Sequence, residues 1–136
     1  MTLSRDVERR LLQITIAVCG FVPVGAGLAG ALLGSNLTGE GGHGIDLDSQ
    51  VRYLSGLLLG IGLAFWDAIP QIELHRRRVV LLTAIVMLGG LMRLIAILSV
   101  VVPGAPMLFG VTMELVVTPL ICLWQGRVAR RFNMHG

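Results

Sequence analysis

Apolar residues fill four stretches of the chain, at about residues 11–34, 51–69, 79–102 and 107–124, with polar residues gathered between them. Each stretch is close to the ~20 residues a helix needs to cross a hydrocarbon layer of ~30 Å. Open strands are excluded in such a layer, because their edges leave backbone donors and acceptors unpaired in lipid. The pattern predicts an all-α integral membrane protein: one domain over residues 1–136, built as an antiparallel bundle of four transmembrane helices.

Within the first stretch, which follows Ser4 and a charged turn, Ala26, Gly30 and Gly34 form a small-xxx-small ladder suited to close helix contact. Pro23 removes one backbone hydrogen bond and is a candidate kink. The arginine-rich start and Ala29-Gly30-Ala31 resemble a secretory leader, but the apolar run is longer than an ordinary h-region, so a retained anchor is expected. Residues 35–50 form the one substantial loop, loosened by Gly39, Gly41, Gly42 and Gly44, and 45–50 reads as a helix entrance capped by Asp48 or Ser49. Gly56 and Gly60 place a GxxxG pair in the second stretch, and Pro70 stops it beyond Trp66 and Asp67. Gly89 and Gly90, one turn before Arg93, leave room for a neighbouring helix or a ligand. Residues 103–106, with Pro103 and Pro106, read as a short hairpin. In the last stretch Thr118 is placed to bond back to its own helix beside Pro119, which frees a carbonyl and bends the helix.

Composition sharpens this picture. The chain is 54% hydrophobic and 14% charged, where a soluble domain carries roughly 25% charged residues. All eleven basic residues are arginine. Arg5, Arg9 and Arg10 precede the first stretch, Arg76, Arg77 and Arg78 lie between the second and third, and Arg127, Arg130 and Arg131 follow the fourth. The loop after the first stretch instead carries Glu40, Asp46 and Asp48, and the 103–106 hairpin is uncharged. By the positive-inside rule both termini and the Arg76 loop are cytoplasmic. That topology accounts for every basic cluster and, with no interleaved aromatics, argues against nucleic-acid binding; contact with anionic membrane lipids is compatible with it. Asp67 and Glu73 read as surface charge pairs for Arg76, Arg77 and Arg78. Cys19 and Cys122 both fall inside apolar stretches and read as packed thiols. His43 with Glu40, Asp46 and Asp48 lacks metal-ligand spacing, so no metal is assigned.

Two residues break the apolar pattern most sharply. Arg93 lies ten positions before Pro103 and Glu114 eight after Pro106. At ~1.5 Å rise per residue both sit roughly 12–15 Å below the hairpin, at similar depth. A lone ion there costs several kcal/mol in hydrocarbon, so the two are expected to face each other or a shared polar cavity. Arg52 lies at the outer rim of the second stretch, where it either snorkels to phosphate or turns inward toward Glu114.

The string Arg52-Tyr53-Leu54-Ser55-Gly56, then Gly60 and Gly62, Gly89-Gly90-Leu91-Met92-Arg93, Gly104-Ala105-Pro106, and Glu114 with Thr118-Pro119, resembles a bacterial family of short four-helix membrane proteins. That family is catalogued as a domain of unknown function and grouped with the DoxX-like membrane proteins; the resemblance runs from the first helix to about Trp124. It implies a four-helix membrane bundle in the bacterial cytoplasmic (inner) membrane. DoxX-like relatives are linked to redox or sulfur-handling partners and to lipid-like ligands, but this chain lacks the paired thiols a redox site needs.

Three functions follow from these residues. In the leading one, Arg93, Glu114, Arg52, Tyr53 and Thr112 line an outward-opening pocket that holds a lipid-like or acidic amphiphilic small molecule, an arginine fork gripping its head. In the second, the chain is an auxiliary or structural subunit of a larger membrane complex or a homo-oligomer, and Arg93–Glu114 is a structural ion pair. Catalysis or transport stands behind both. No nucleophile lies beside a base, no phosphate-cradling loop is present, and His43, His75 and His135 all fall outside the apolar stretches, so no catalytic residue and no cofactor is assigned.

Overall fold

The structure, a computed structural model, describes residues 4–38, 45–99 and 103–133. Glu40, His43 and the glycines around them, together with His135, lie outside the described residues. Among the described residues there is no strand, and four helical stretches are long and apolar enough to cross a membrane: Arg5–Asn36, Ile45–Gln71, Arg76–Leu98 and Ala105–Asn133. The chain is a multi-pass, all-α membrane protein.

The regular elements are α1 (Arg5–Leu33), α2 (Ile45–Asp67), α3 (Arg76–Leu98), α4 (Ala105–Thr112), a π-helical turn (Met113–Val117) and α5 (Thr118–Asn133), with short 3-10 turns at Gly34–Thr38 and Ile69–Gln71. Several ends differ from the apolar boundaries. Helix α1 begins at Arg5, where Ser4 Oγ accepts from the Val7 N–H at 3.4 Å and the Ser4 carbonyl accepts from Glu8, so the charged turn is already helical. It continues through Pro23. Helix α2 begins at Ile45 rather than near 51, with Asp46 and Asp48 in its first turn, where carboxylates complement the helix dipole. The last helical stretch continues past Trp124 to Asn133. Hydropathy finds the part of a helix that suits lipid, and helices extend beyond it wherever polar groups pair.

Two compact units divide the chain: Ile14–Ile69, and Met1–Gln13 with Pro70–Gly136.

In the first, α1 and α2 touch backbone to side chain. A Cβ at Gly27 would stand 2.6 Å from Leu59 N and 2.8 Å from the Ser55 carbonyl oxygen, so only glycine fits this crossing. Gly62 meets Val24 and Pro23, and Gly20 lies beneath the Trp66 ring. That indole donates to the Ala17 carbonyl at 3.2 Å and packs edge-on against Phe21, ring centres 5.0 Å apart. The face of α2 turned to α1 is thus Ser55, Leu59, Gly62 and Trp66, at helical spacing. Gly56 and Gly60, expected to mediate close packing, lie on a different stripe, where an added Cβ meets nothing within 4 Å. Motif spacing marks a face that permits close approach without saying which face the neighbour takes.

The end of α1 is closed by α2. Gly34 has φ +58°, the left-handed conformation that ends helices at small cost only for glycine. Arg52 Nη1 donates to the Ala31 and Leu32 carbonyls at 2.8 and 2.9 Å, satisfying two of the acceptors a helix leaves open at its C-terminus. Asp48 holds that arginine in place: its Oδ2 accepts from Arg52 Nε at 2.7 Å, and its Oδ1 from the Ser35 N–H at 2.9 Å. Asp48 therefore caps no helix of its own, contrary to expectation.

The second unit contains the start of α1, then α3, α4, the π turn and α5. Its core is Leu12, Ile72, Val79, Val128 and Gln125, all essentially inaccessible. These residues lie in or beside the arginine-bearing segments, and wherever water is the alternative environment the burial of a large aliphatic contributes about 1.5–3 kcal/mol. Polar ties run through the same region. Glu8, 6% exposed, accepts from Arg131 Nη1 and pairs with Arg127 Nε at 3.3 Å. Arg9 donates through Nε to Glu73 at 2.9 Å and through Nη2 to the Pro70 carbonyl at 2.8 Å. Glu73 thus pairs with Arg9, not with the adjacent arginine run. Cys19 and Cys122 are both free thiols, and Cys122 is buried.

Candidate functional site

Arg93 on α3 and Glu114 in the π turn form a two-pronged ion pair. Arg93 Nε donates to Glu114 Oε2 and Nη2 to Oε1, each at 3.1 Å, the planar fork-to-carboxylate geometry that favours arginine over lysine. The side chain of Glu114 is 17% accessible and that of Arg93 41%.

Each element contributes a reason for the pair. On α3, Gly90 lies one turn before Arg93, and a Cβ there would stand 2.8 Å from Glu114 Cβ and 2.9 Å from Leu115 Cδ2. The missing side chain admits the neighbouring helix, one of the two uses its position predicts; beside it Gly89 stays open, with nothing within 4 Å of an added Cβ. On α4, Gly110 sits one turn before Glu114 and faces the guanidinium, whose atoms would lie about 3.5 Å from a Cβ there. The π turn lies just ahead of Pro119, which has no N–H to donate. Thr118 closes the widened turn: its backbone N–H and its hydroxyl both donate to the Met113 carbonyl, the hydroxyl at 2.8 Å. Such widened turns re-aim a side chain and recur at functional sites. Here the widened turn holds Glu114.

A guanidinium carries five N–H donors, and Glu114 takes two. Nη1 of Arg93 has no partner among the described residues, nor does the second hydrogen of Nη2. The pair is neutral as a whole yet leaves donors on an accessible side chain.

The other residues singled out by sequence are placed as follows. Thr112 is exposed and donates its hydroxyl to the Leu108 carbonyl at 2.9 Å; two positions from Glu114 in a helix of 3.6 residues per turn, it points about 200° away from it. Arg52 and Tyr53 belong to the other unit, where Arg52 is engaged by Asp48 and the end of α1, and Tyr53 is 63% exposed.

A family model described as a domain of unknown function (DUF4345) matches residues 11–125. The chain belongs to this family. The match takes in Gly90, Arg93, Gly110, Glu114 and the Thr118-Pro119 step, and ends before Arg127, Arg130 and Arg131. No curated protein and no solved structure matches the chain.

Sequence reasoning missed a second polar site in the same unit. Gln125, fully buried, donates through Nε2 to the Ile72 carbonyl at 2.7 Å and accepts from Arg76 Nη1 at 3.1 Å. The same Arg76 nitrogen reaches the Cys122 carbonyl at 2.6 Å. The available signal was the continued helical spacing of small and apolar residues beyond Trp124, at Gly126, Val128 and Ala129, all buried. Among the described residues no three His, Cys, Asp or Glu side chains gather as a metal site.

Proposed function

We propose that this family member is a small membrane protein that holds the polar head of a lipid-like or acidic amphiphile at Arg93, within the apolar layer and on its outward side. The observation that carries this reading is the three N–H donors that Arg93 has left after Glu114 takes two. An arginine that only neutralised Glu114 would be best buried with every donor satisfied, because an open N–H in hydrocarbon costs several kcal/mol. A carboxylate or phosphate placed against Nη1 and the free Nη2 hydrogen takes up these donors, and the apolar surface around α3 and α4 accepts a tail. Gly89 leaves that approach clear.

The topology we propose places both termini on the cytoplasmic side of a bacterial inner membrane, with α3 and α4 antiparallel across the 103–106 hairpin. Support comes from the ties of Glu8 to Arg127 and Arg131, and of Arg9 to Glu73, which gather the three arginine-bearing segments. A DoxX-like kinship is compatible with a lipid-like ligand.

Native mass spectrometry of gently solubilised protein tests the reading, with the double variant Arg93→Leu, Glu114→Leu as control. A small-molecule mass on the wild type, absent from the folded variant, is the expected result and weighs the ligand. Lipids held equally by both would remove the reading.

One observation favours the alternative of an auxiliary subunit. Gly56 and Gly60 present a small-residue stripe with no described atom against it, suited to a partner helix. On that reading the wild type carries a protein partner or a second copy, and Gly60→Leu releases it.

A further inference from the structure

A second set of unspent arginine donors lies at the far end of the same unit. Arg76, Leu123, Gly126, Ala129, Arg130 and Asn133 line an open cleft of about 410 Å³. Arg76 is held rigidly: one nitrogen, Nη1, makes its bonds to the Cys122 carbonyl, the Cys122 Sγ at 3.3 Å and Gln125 Oε1, and Gln125 is itself locked to the Ile72 carbonyl in the core. Gly126 lets the guanidinium lie flat on the helix, since a Cβ there would stand 2.8 Å from Arg76 Cζ. Arg130 spends only Nε, on the Gly126 carbonyl at 3.2 Å. Arg76 Nε and Nη2, and both terminal nitrogens of Arg130, have no partner among the described residues. No carboxylate is among the lining residues. Glu8, the acidic residue of the same region, is taken by Arg127 and Arg131 on the adjacent stripe of α5.

We infer that this cleft binds a phosphate group, gripped by Arg76 and Arg130 with Asn133 as an additional donor. Two guanidinium groups with free N–H pairs and no local countercharge match the shape and charge of a phosphate better than those of a carboxylate, which one fork already saturates. Leu123, 65% exposed, gives the cleft an apolar side next to the membrane-spanning part of the helix, as the headgroup of an anionic lipid requires. A free phosphate offers the same oxygens without the tail. The site is separate from Arg93 and stands whether or not that one holds a ligand.

The test uses wild-type protein and two variants in nanodiscs. Arg130→Gln removes one fork while leaving the buried Arg76–Gln125 lock intact; Arg77→Gln removes an exposed arginine of the same basic region outside the cleft. In one arm, phosphatidylglycerol is titrated into phosphatidylcholine discs and bound phosphatidylglycerol is counted by mass spectrometry. In the other, inorganic phosphate is titrated against discs of phosphatidylcholine alone and thermal stabilisation is followed. The expected result is saturable binding in at least one arm, weakened on the order of tenfold by Arg130→Gln and unchanged by Arg77→Gln. The first arm alone identifies a lipid headgroup, and the second a soluble phosphate. Equal loss in both variants, which is general attraction to a basic surface, or no saturable binding in either arm, overturns the inference.

Discussion

Arg93 and Arg52 are both isolated arginines next to apolar sequence, yet their surroundings give them different work. Arg52 spends its donors on Asp48 and on carbonyls that the end of α1 leaves open, so its role is to close a helix. Arg93 meets one carboxylate and keeps the rest of its fork. Sequence depth alone points Arg93 and Glu114 at each other or at a shared polar cavity, because two lone ions in hydrocarbon are costly, and the structure pairs them directly. Sequence depth left Arg52 open between two roles, because the carbonyl acceptors that decide the matter are backbone atoms and leave no mark in residue type. The Arg93–Glu114 pairing has a measurable consequence. Removing the arginine alone, Arg93→Ala, strands a carboxylate and is expected to lower stability by about 3 kcal/mol in a denaturant titration in micelles. The double replacement Arg93→Leu, Glu114→Leu removes both charges and is expected to cost under about 1 kcal/mol. A double variant as damaged as the single one would mean the pair holds more structure than its two hydrogen bonds.

Helix identities could be read from hydropathy, while the faces by which helices meet could not. Glycines are abundant, 18 in all, and spacing alone nominates several close-packing ladders. Along α1 and just past its end the ladder through Gly30 and Gly34 is used, joined by Gly20 and Gly27 rather than by Ala26. In α2 the contact runs through Gly62, and the GxxxG pair faces away from α1. Gly110 carried no signal at all, since its value lies in what the guanidinium on α3 does beside it. Substitution separates these classes. Gly27→Leu drives a side chain into the backbone of Ser55 and Leu59, so a loss of more than about 2 kcal/mol, or failure to fold, is expected. Gly56→Leu adds volume to open space and, replacing glycine within a helix, is expected to be neutral or mildly stabilising, within about 1 kcal/mol. Thermal melts of the two variants side by side decide it; similar losses would show that the α2 stripe, too, is covered in solution.

At the scale of the molecule, the arginine clusters that read as topology signals turn out to be structural ties as well. Glu8 and Arg131 are 123 positions apart in sequence and share a hydrogen bond, and Glu8 is nearly inaccessible. The topology proposed above would account for arginines in these segments, but not for the carboxylate of Glu8 buried among them. The reason is physical: a helix end held in a basic neighbourhood needs a countercharge, and a carboxylate flanked by Arg127 and Arg131 supplies it while tying the first helix to the last. A double-mutant cycle reads the strength of that tie directly. Glu8→Ala alone is expected to cost about 3 kcal/mol, because it leaves two arginines partly uncompensated. Arg131→Ala alone should cost less, because Arg127 still serves Glu8. Combined, the two should cost less than their sum by about 1–2 kcal/mol, the coupling of groups in direct contact. Simple additivity would mean that the two ends of the chain are held by the apolar core of Leu12, Val79 and Val128, with the charges riding on it.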